Sequence, residues 1–382
     1  MTITLAFDSF KGSLRSDEVA DAFEDGLRTS LSDCTILKAN IADGGEGTMD
    51  ALTGKLNATT ISMATTDPLD RPINAQYSII DNGSTAIIEL AVASGLTLLQ
   101  NEERNPMLTS TYGTGLLIAD ALKRGCRKII LGIGGSATND GGTGILDALG
   151  FRFLDTNGNR LRGCGESLAK IHTIDTTQVM PEVKEATFIL ACDVTNPLYG
   201  PNGAAHIFAK QKGGTPDMIQ SLDKGLHKFA EIIGYHTNKH IYSIPGSGAA
   251  GGVGGGLAGM LNARLERGIE VIFDIIGFEN MVRESDYVVT GEGKIDRQTL
   301  MGKAPSGVLQ TATRHGVPTI AIGGDVEWCE ELKQSGFHTI VNINTDNIPP
   351  KTAMQHDVAT ENVRRAGIRI GKLLYICQNK TT

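Results

Sequence analysis

The sequence predicts an α/β protein of two domains: a doubly wound, Rossmann- or flavodoxin-like parallel sheet built from both chain ends, and an inserted mixed α/β domain. Three observations carry this prediction. Strand-like and helix-like segments alternate at each end of the 382-residue chain, as they do in parallel sheets with crossover helices. From about Thr59 that rhythm gives way to hairpin-like and glycine-rich sequence, and it resumes near Tyr287. The length exceeds one ordinary domain and suits two. The expected boundaries are 1–66 with 285–382 for the discontinuous domain and 67–284 for the insertion. Two sequential domains split near residue 150 are the rival arrangement.

Taken in order, residues 2–7 alternate threonine with apolar residues, as a strand does. Ser9–Leu14 reads as a turn. Ser16, followed by Asp17 and Glu18, reads as an N-cap with acids in the first helical turn. Val19, Ala22, Phe23 and Leu27 share one face of that helix, which runs to about Thr29. A strand from Thr35 to Ile41 leads into Ala42-Asp43-Gly44-Gly45-Glu46-Gly47-Thr48 and a second helix start. Ser62–Asp81 and Thr85–Ala91 are extended, with Pro68 and Pro72 inside the first. A helix at 113–124 precedes a strand at 128–133, a glycine loop, and a strand at Thr187–Ala191 that ends in Cys192-Asp193-Val194-Thr195-Asn196. Helical stretches near 202–211 and 216–233 come before a strand-like Ile241–Pro245, the glycine field Gly246–Gly256, a helix to about Arg267 and a strand at 270–276. The last hundred residues read as strand Tyr287–Thr290, helix 303–315, strand Thr319–Ile322, short helix 327–334, strand 338–343 and helix 357–377.

A net charge of −8 without a basic tract argues against nucleic acid and anionic membranes as partners. The 47 glycines exceed the usual ~7 % share, but they are clustered in apolar sequence, so disorder does not explain them. Six cysteines without a CxxC pair suit reduced thiols and argue against a zinc knuckle. No apolar run approaches the ~18 residues of a membrane span, and no basic leader precedes the first strand. The expected compartment is cytoplasmic.

The chemistry concentrates after strands. Gly132–Gly144 follows an apolar run and precedes a helix-like segment, a place where unpaired backbone N–H groups suit phosphate. Acids and lysines recur at strand ends: Asp8, Lys11, Asp43, Glu46, Asp140, Asp193, Glu292, Lys294, Asp296 and Asp325. A single Asp there is usually a helix cap, and a single lysine is usually solvated. Together they supply what phosphoryl transfer needs: a phosphate cradle, cations, oxygen ligands for Mg²⁺, and a carboxylate beside the attacking hydroxyl. No GxxxxGK[ST], HRDxxxxN or DFG string occurs, which excludes a P-loop or protein-kinase fold. Gly246-Ser-Gly248-Ala-Ala-Gly251 matches the dinucleotide fingerprint, with Asp274 beyond it. A NAD-dependent dehydrogenase is therefore one alternative, although Pro245 interrupts the approach and Gly254–Gly256 weaken the helix. A non-catalytic, two-lobed anion-binding protein is another.

Six blocks in order, Asp8-Ser-Phe-Lys11-Gly-Ser, Ala42-Asp43-Gly-Gly-Glu46-Gly-Thr, Gly134-Gly-Ser-Ala-Thr-Asn-Asp140-Gly-Gly, Cys192-Asp193-Val-Thr-Asn196-Pro-Leu, Pro245-Gly-Ser-Gly-Ala-Ala-Gly-Gly and Thr290-Gly-Glu292-Gly-Lys294-Ile-Asp296, span the chain. In them the sequence resembles the bacterial type I glycerate kinases. The resemblance implies ATP- and Mg²⁺-dependent phosphorylation of D-glycerate in a cleft between two domains, to 2-phosphoglycerate with 3-phosphoglycerate as the other product. It implies ATP and D-glycerate as small-molecule partners and leaves the oligomeric state open, a dimer included. Residue chemistry makes Asp193 or Asp8 the base and Lys11 and Lys294 the cations for carboxylate or phosphate. Ser9, Gly134, Gly135, Ser136, Thr138, Asn139, Asn196, Gly246, Ser247, Gly248 and Gly291 are expected to bind substrate or phosphate. Asp43, Glu46, Glu292 and Asp296 are expected to bind metal.

Overall fold

The computed structural model describes residues 1–41, 58–344 and 348–380. Its strands among these are β1 (Thr2–Phe7), β2 (Thr35–Asn40), β3 (Thr59–Thr66), β4 (Pro72–Ile80), β5 (Thr85–Glu89), β6 (Lys128–Gly132), β7 (Arg152–Leu154), β8 (Arg160–Leu161), β9 (Thr173–Asp175), β10 (Thr187–Ala191), β11 (Arg264–Glu266), β12 (Tyr287–Ile295), β13 (Thr319–Val326) and β14 (Thr339–Asn342). The chain divides into two compact units, Met1–Gly44 with Ile269–Thr382, and Gly45–Gly268.

The first unit holds a five-stranded sheet in the order β14-β13-β12-β1-β2, every pair parallel. Alternation along β1 explains its two faces. Ile3, Leu5 and Phe7 pack with Phe23 and Leu27 of the helix Ser16–Arg28 and with Val363, Ala366 and Ile370 of the helix His356–Lys380. Thr4, pointing the other way, meets Ser285 with its hydroxyl at 2.7 Å. The two helices on the first face approach so closely that a Cβ on Gly26 would overlap the Arg364 carbonyl. The order reverses between β1 and β12, which is where a doubly wound sheet opens a crevice at the carboxyl ends of its strands.

The second unit is built on a six-stranded sheet, β11-β10-β6-β5-β4-β3. β5, β6, β10 and β11 run parallel, and β3 and β4 add an antiparallel hairpin edge. The central strands are apolar on both faces (Ile87 and Ile88, Ile129 to Leu131, Phe188 to Leu190), and all of these side chains are buried. That is the pattern of a sheet covered on both sides. A small antiparallel sheet, β8-β7-β9, completes the unit.

Several expectations are corrected. Residues 270–276 are helical, within Gly268–Ile276; a short run of Val, Ile and Phe satisfies either period, and length alone misassigned it. Ile241–Pro245 forms turns rather than a strand. With no strand leading into it and Asp274 in a helix rather than at a strand end, Gly246–Gly251 is not a dinucleotide turn. β12 and β13 run on through Ile295 and Val326, so Glu292, Lys294 and Asp325 sit inside strand ends. β3 pairs with β4 in the second sheet, and the helices at 268–283 pack in the first unit. The compact units run from Met1 to Gly44 with Ile269–Thr382 and from Gly45 to Gly268, where the sequence reading set the boundaries at 66/67 and 284/285. Ser16 opens the first helix as a helical residue, with the Glu18 carboxylate taking the Arg15 N–H at 2.9 Å. Among the described residues no helix is long and apolar enough to cross a membrane.

The glycine field Gly246–Gly256 has a packing role. Ala250, Gly251 and Gly252 hold left-handed φ of 51°, 68° and 93°, and Gly251 accepts the Gly141 N–H at 3.0 Å. A Cβ at Gly251 would overlap the Thr138 carbonyl and the Asn139 Cα. Gly251→Ala is expected to lose about 2 kcal/mol or more, from strain and displacement of the facing loop. An unchanged urea midpoint would contradict this packing.

Candidate functional site

At the carboxyl ends of β1, β12, β13 and β14 lies a cavity of about 590 Å³. Lys11, Lys294 and Lys303 line it with Glu292, Asp325, Ser9 and Asn344. Phe10, Ile343, Pro350 and Met354 contribute apolar lining. The volume is that of a pocket for a drug-sized ligand. A three-carbon acid would leave most of it empty.

The sheet ends place the polar groups in and next to it. The Asp8 N–H donates to the Gly291 carbonyl at 2.9 Å. Its carboxylate, on a residue 2 % exposed, takes the Ser9 N–H at 2.6 Å. Glu292, 6 % exposed, accepts from the Thr299 hydroxyl at 2.6 Å and pairs with the Lys303 ammonium at 3.0 Å. Lys294 is exposed and donates to Glu327 at 2.6 Å, which raises its pKa above the usual lysine range. Asp296 accepts the Gln298 N–H at 2.8 Å and caps the short turn Arg297–Leu300. Gly291 is a strand position where a Cβ would overlap the Ile322 carbonyl.

The loop Gly132–Gly144 belongs to the second unit, and much of its polarity turns inward. Asp140 is fully buried. It accepts the Thr111 N–H and hydroxyl, each at 2.8 Å, the Gly142 N–H at 3.0 Å and the Gly144 N–H at 3.2 Å. Burial pushes its carboxyl up in pKa, and these four donors pull the other way. The N–H groups of Gly142 and Gly144, expected to serve phosphate, therefore serve Asp140. Upstream, Gly134 and Gly135 remain exposed. Lys212, 2 % exposed, donates to the Ser136 hydroxyl at 2.8 Å and the Thr138 carbonyl at 2.7 Å. Burial lowers its pKa to about 7, against the opposing field of Asp140.

The remaining expected residues are dispersed. The Asp193 carboxylate, exposed, takes the Gly268 N–H at 3.0 Å at the start of the helix Gly268–Ile276. Asn196 donates its side-chain N–H to the Asn202 carbonyl, and its own carbonyl accepts from Gly248 N–H, both at 3.0 Å. Ser247 is fully buried and donates to the Tyr242 carbonyl at 3.1 Å. Gly246, Ser247 and Gly248 thus build a packed turn, in which a Cβ on Gly248 would overlap the Pro197 carbonyl. Asp43 and Glu46 lie outside the described residues. Among the described residues no three His, Cys, Asp or Glu side chains converge on one point.

Two lysines escaped the sequence reading. Lys303 left a signal: it precedes the helix Ala304–Arg314, where the helix dipole disfavours a cation. Lys212 left none, since Lys210-Gln211-Lys212 reads as a solvated run.

The glycerate kinase family model matches residues 3–375. The chain is 39 % identical to the glycerate kinase of Bacillus subtilis (strain 168), over 98 % of this chain and all of the relative. It is 43 % identical to the glycerate 2-kinase of Escherichia coli (strain K12), over 98 % of each. A crystal structure from Salmonella typhimurium LT2, assigned as glycerate kinase 2, superposes with a TM-score of 0.85 over 99 % of each chain at 39 % identity. The chain belongs to the glycerate kinase family.

Proposed function

We infer that the enzyme transfers the γ-phosphoryl group of ATP to D-glycerate, in the presence of Mg²⁺, to give 2-phosphoglycerate. The observation that carries this is the cavity at the sheet's carboxyl edge, which is lined both by three lysines and by apolar side chains. A nucleotide carries both kinds of chemistry, anionic phosphates and an apolar base. Phosphates would lie against Lys11, Lys294 and Lys303, which neutralise the charge carried into the transition state, and the base against Phe10, Ile343 and Met354. Likeness to a relative named glycerate 2-kinase, from E. coli (strain K12), supports the 2-phosphate.

The donor set fits Mg²⁺ bound with a nucleotide, since that ion commonly takes one or two carboxylates and completes its shell with phosphates and water. Asp325 would hold it, while Glu292, committed to Thr299 and Lys303, would hold Lys303 in place. When bound, the ion would supply positive charge that offsets the charge on the phosphates. Asp193 or Asp8 would accept the proton of the attacking hydroxyl.

Lys294→Ala is expected to raise KM for ATP with little change in folding stability, because its partner Glu327 is exposed and surface pairs contribute only ~0–1 kcal/mol. Unchanged KM values for ATP and D-glycerate would assign Lys294 to the surface. The reading as a whole is tested by coupled ADP release that requires both ATP and D-glycerate. D-glycerate binding without turnover would favour a binding protein instead.

A further inference from the structure

Lys212 presents a physical problem that the loop itself does not solve. A buried ammonium is costly unless an anion pairs with it. Among the described residues no carboxylate lies within ion-pair distance of it, and its donations go to a hydroxyl and a carbonyl. Asp140 acts on it only as a field, because that carboxylate is committed to four donors of its own. The same loop holds two further unmet groups. The fully buried Asn139 amide and Thr138 hydroxyl have no hydrogen-bond partner among the described residues. Native folds leave few such atoms. Next to Ser136, which Lys212 contacts, the turn Gly134–Gly135 is by contrast exposed.

We propose that Gly134–Ser136 is the seat for a substrate oxyanion and that Lys212 is its positioning residue, supplying positive charge behind the Ser136 hydroxyl. The chemistry follows from the hydrogen bond to Ser136. An ammonium only donates, so Ser136 Oγ accepts from Lys212 and its own hydrogen points elsewhere, as a donor to the anion. The exposed glycines let that anion approach the backbone. The oxyanion is either the carboxylate of the three-carbon acid or a nucleotide phosphate. This rests on the kinase reading above.

The test measures KM for D-glycerate, KM for ATP, and kcat for the wild type, Lys212→Met and Ser136→Ala. Lys212→Met is expected to raise one KM about tenfold or more, and Ser136→Ala to raise the same one by a smaller factor. A change in KM for D-glycerate identifies a carboxylate, and a change in KM for ATP a phosphate. The pH profile separates this from a structural role. Lys212 is protonated below about pH 7, so the affected wild-type KM is expected to rise above that pH by up to tenfold per unit. In Lys212→Met it stays flat. Stability should move independently. The folded pKa lies below the ordinary 10.5, so the wild type gains on Lys212→Met as pH climbs from about 7 toward 10.5.

Unchanged KM values in folded Lys212→Met overturn the proposal, and ordered water then satisfies these groups. Should Lys212→Met fail to fold, Ser136→Ala decides alone, with unchanged KM values overturning it. A wild type without glycerate-dependent ADP release overturns the kinase reading instead. The seat is then judged by whether inorganic phosphate raises the melting temperature of the wild type more than that of Lys212→Met, with equal shifts overturning it.

Discussion

Asp140→Ala is expected to destabilise the protein by about 3 kcal/mol or more, lowering Tm by about 6–12 °C for a unit of this size. The carboxylate closes the turn that joins β6 to the helix Thr143–Ala148. It satisfies two backbone N–H groups of that turn and, from Thr111, a third N–H and a hydroxyl. Alanine leaves all four donors buried without partners, and each such group costs about 1–3 kcal/mol before relaxation. It also removes the negative field that offsets the burial of Lys212. Asp140→Asn keeps one acceptor oxygen and is expected to lose less than alanine does. A thermal or urea melt in which Asp140→Ala matches the wild type would show that the loop is held by other means.

Asp193→Asn is expected to lower kcat by ~10²-fold or more, with KM values little changed, if Asp193 accepts the proton of the attacking hydroxyl. The substitution is close to isosteric. Its amide oxygen still accepts the Gly268 N–H, so the start of the helix Gly268–Ile276 keeps its partner. What disappears is the ability to take a proton. Asp8→Asn is the matched comparison, because asparagine can likewise keep the Ser9 N–H bond. Near-normal turnover in Asp193→Asn combined with a loss in Asp8→Asn moves the role to Asp8. Near-normal turnover in both removes a carboxylate base from the reaction and leaves positioning and charge neutralisation as the source of rate.

The parallel sheet of the first unit was legible because its strands are short, apolar or alternating segments set in rhythm with helices that have an apolar face. The hairpin edge of the second sheet was legible from its prolines and alternation. Residues 270–276 were not, since β-branched residues in a short apolar run fit a strand on composition and a helix only in their tertiary setting. β7, β8 and β9 are two or three residues long, too short to carry a period. At the site, the glycines and acids announced a place for anions, but spacing does not distinguish a glycine that meets a ligand from one that meets a carbonyl. Gly134 is exposed; Gly248 and Gly251 are packed against backbone. Nor does sequence tell which charge a loop keeps for itself. Asp140 turned inward to its own turn, and Lys212 left the surface to donate to Ser136 and Thr138.

The most direct test of the account is ³¹P NMR of the reaction of the purified protein with ATP, Mg²⁺ and D-glycerate. The account predicts ADP together with a new phosphate monoester on the C2 oxygen, formed only when both substrates are present. ADP and inorganic phosphate formed regardless of D-glycerate, or a mixture unchanged from the start, would contradict it.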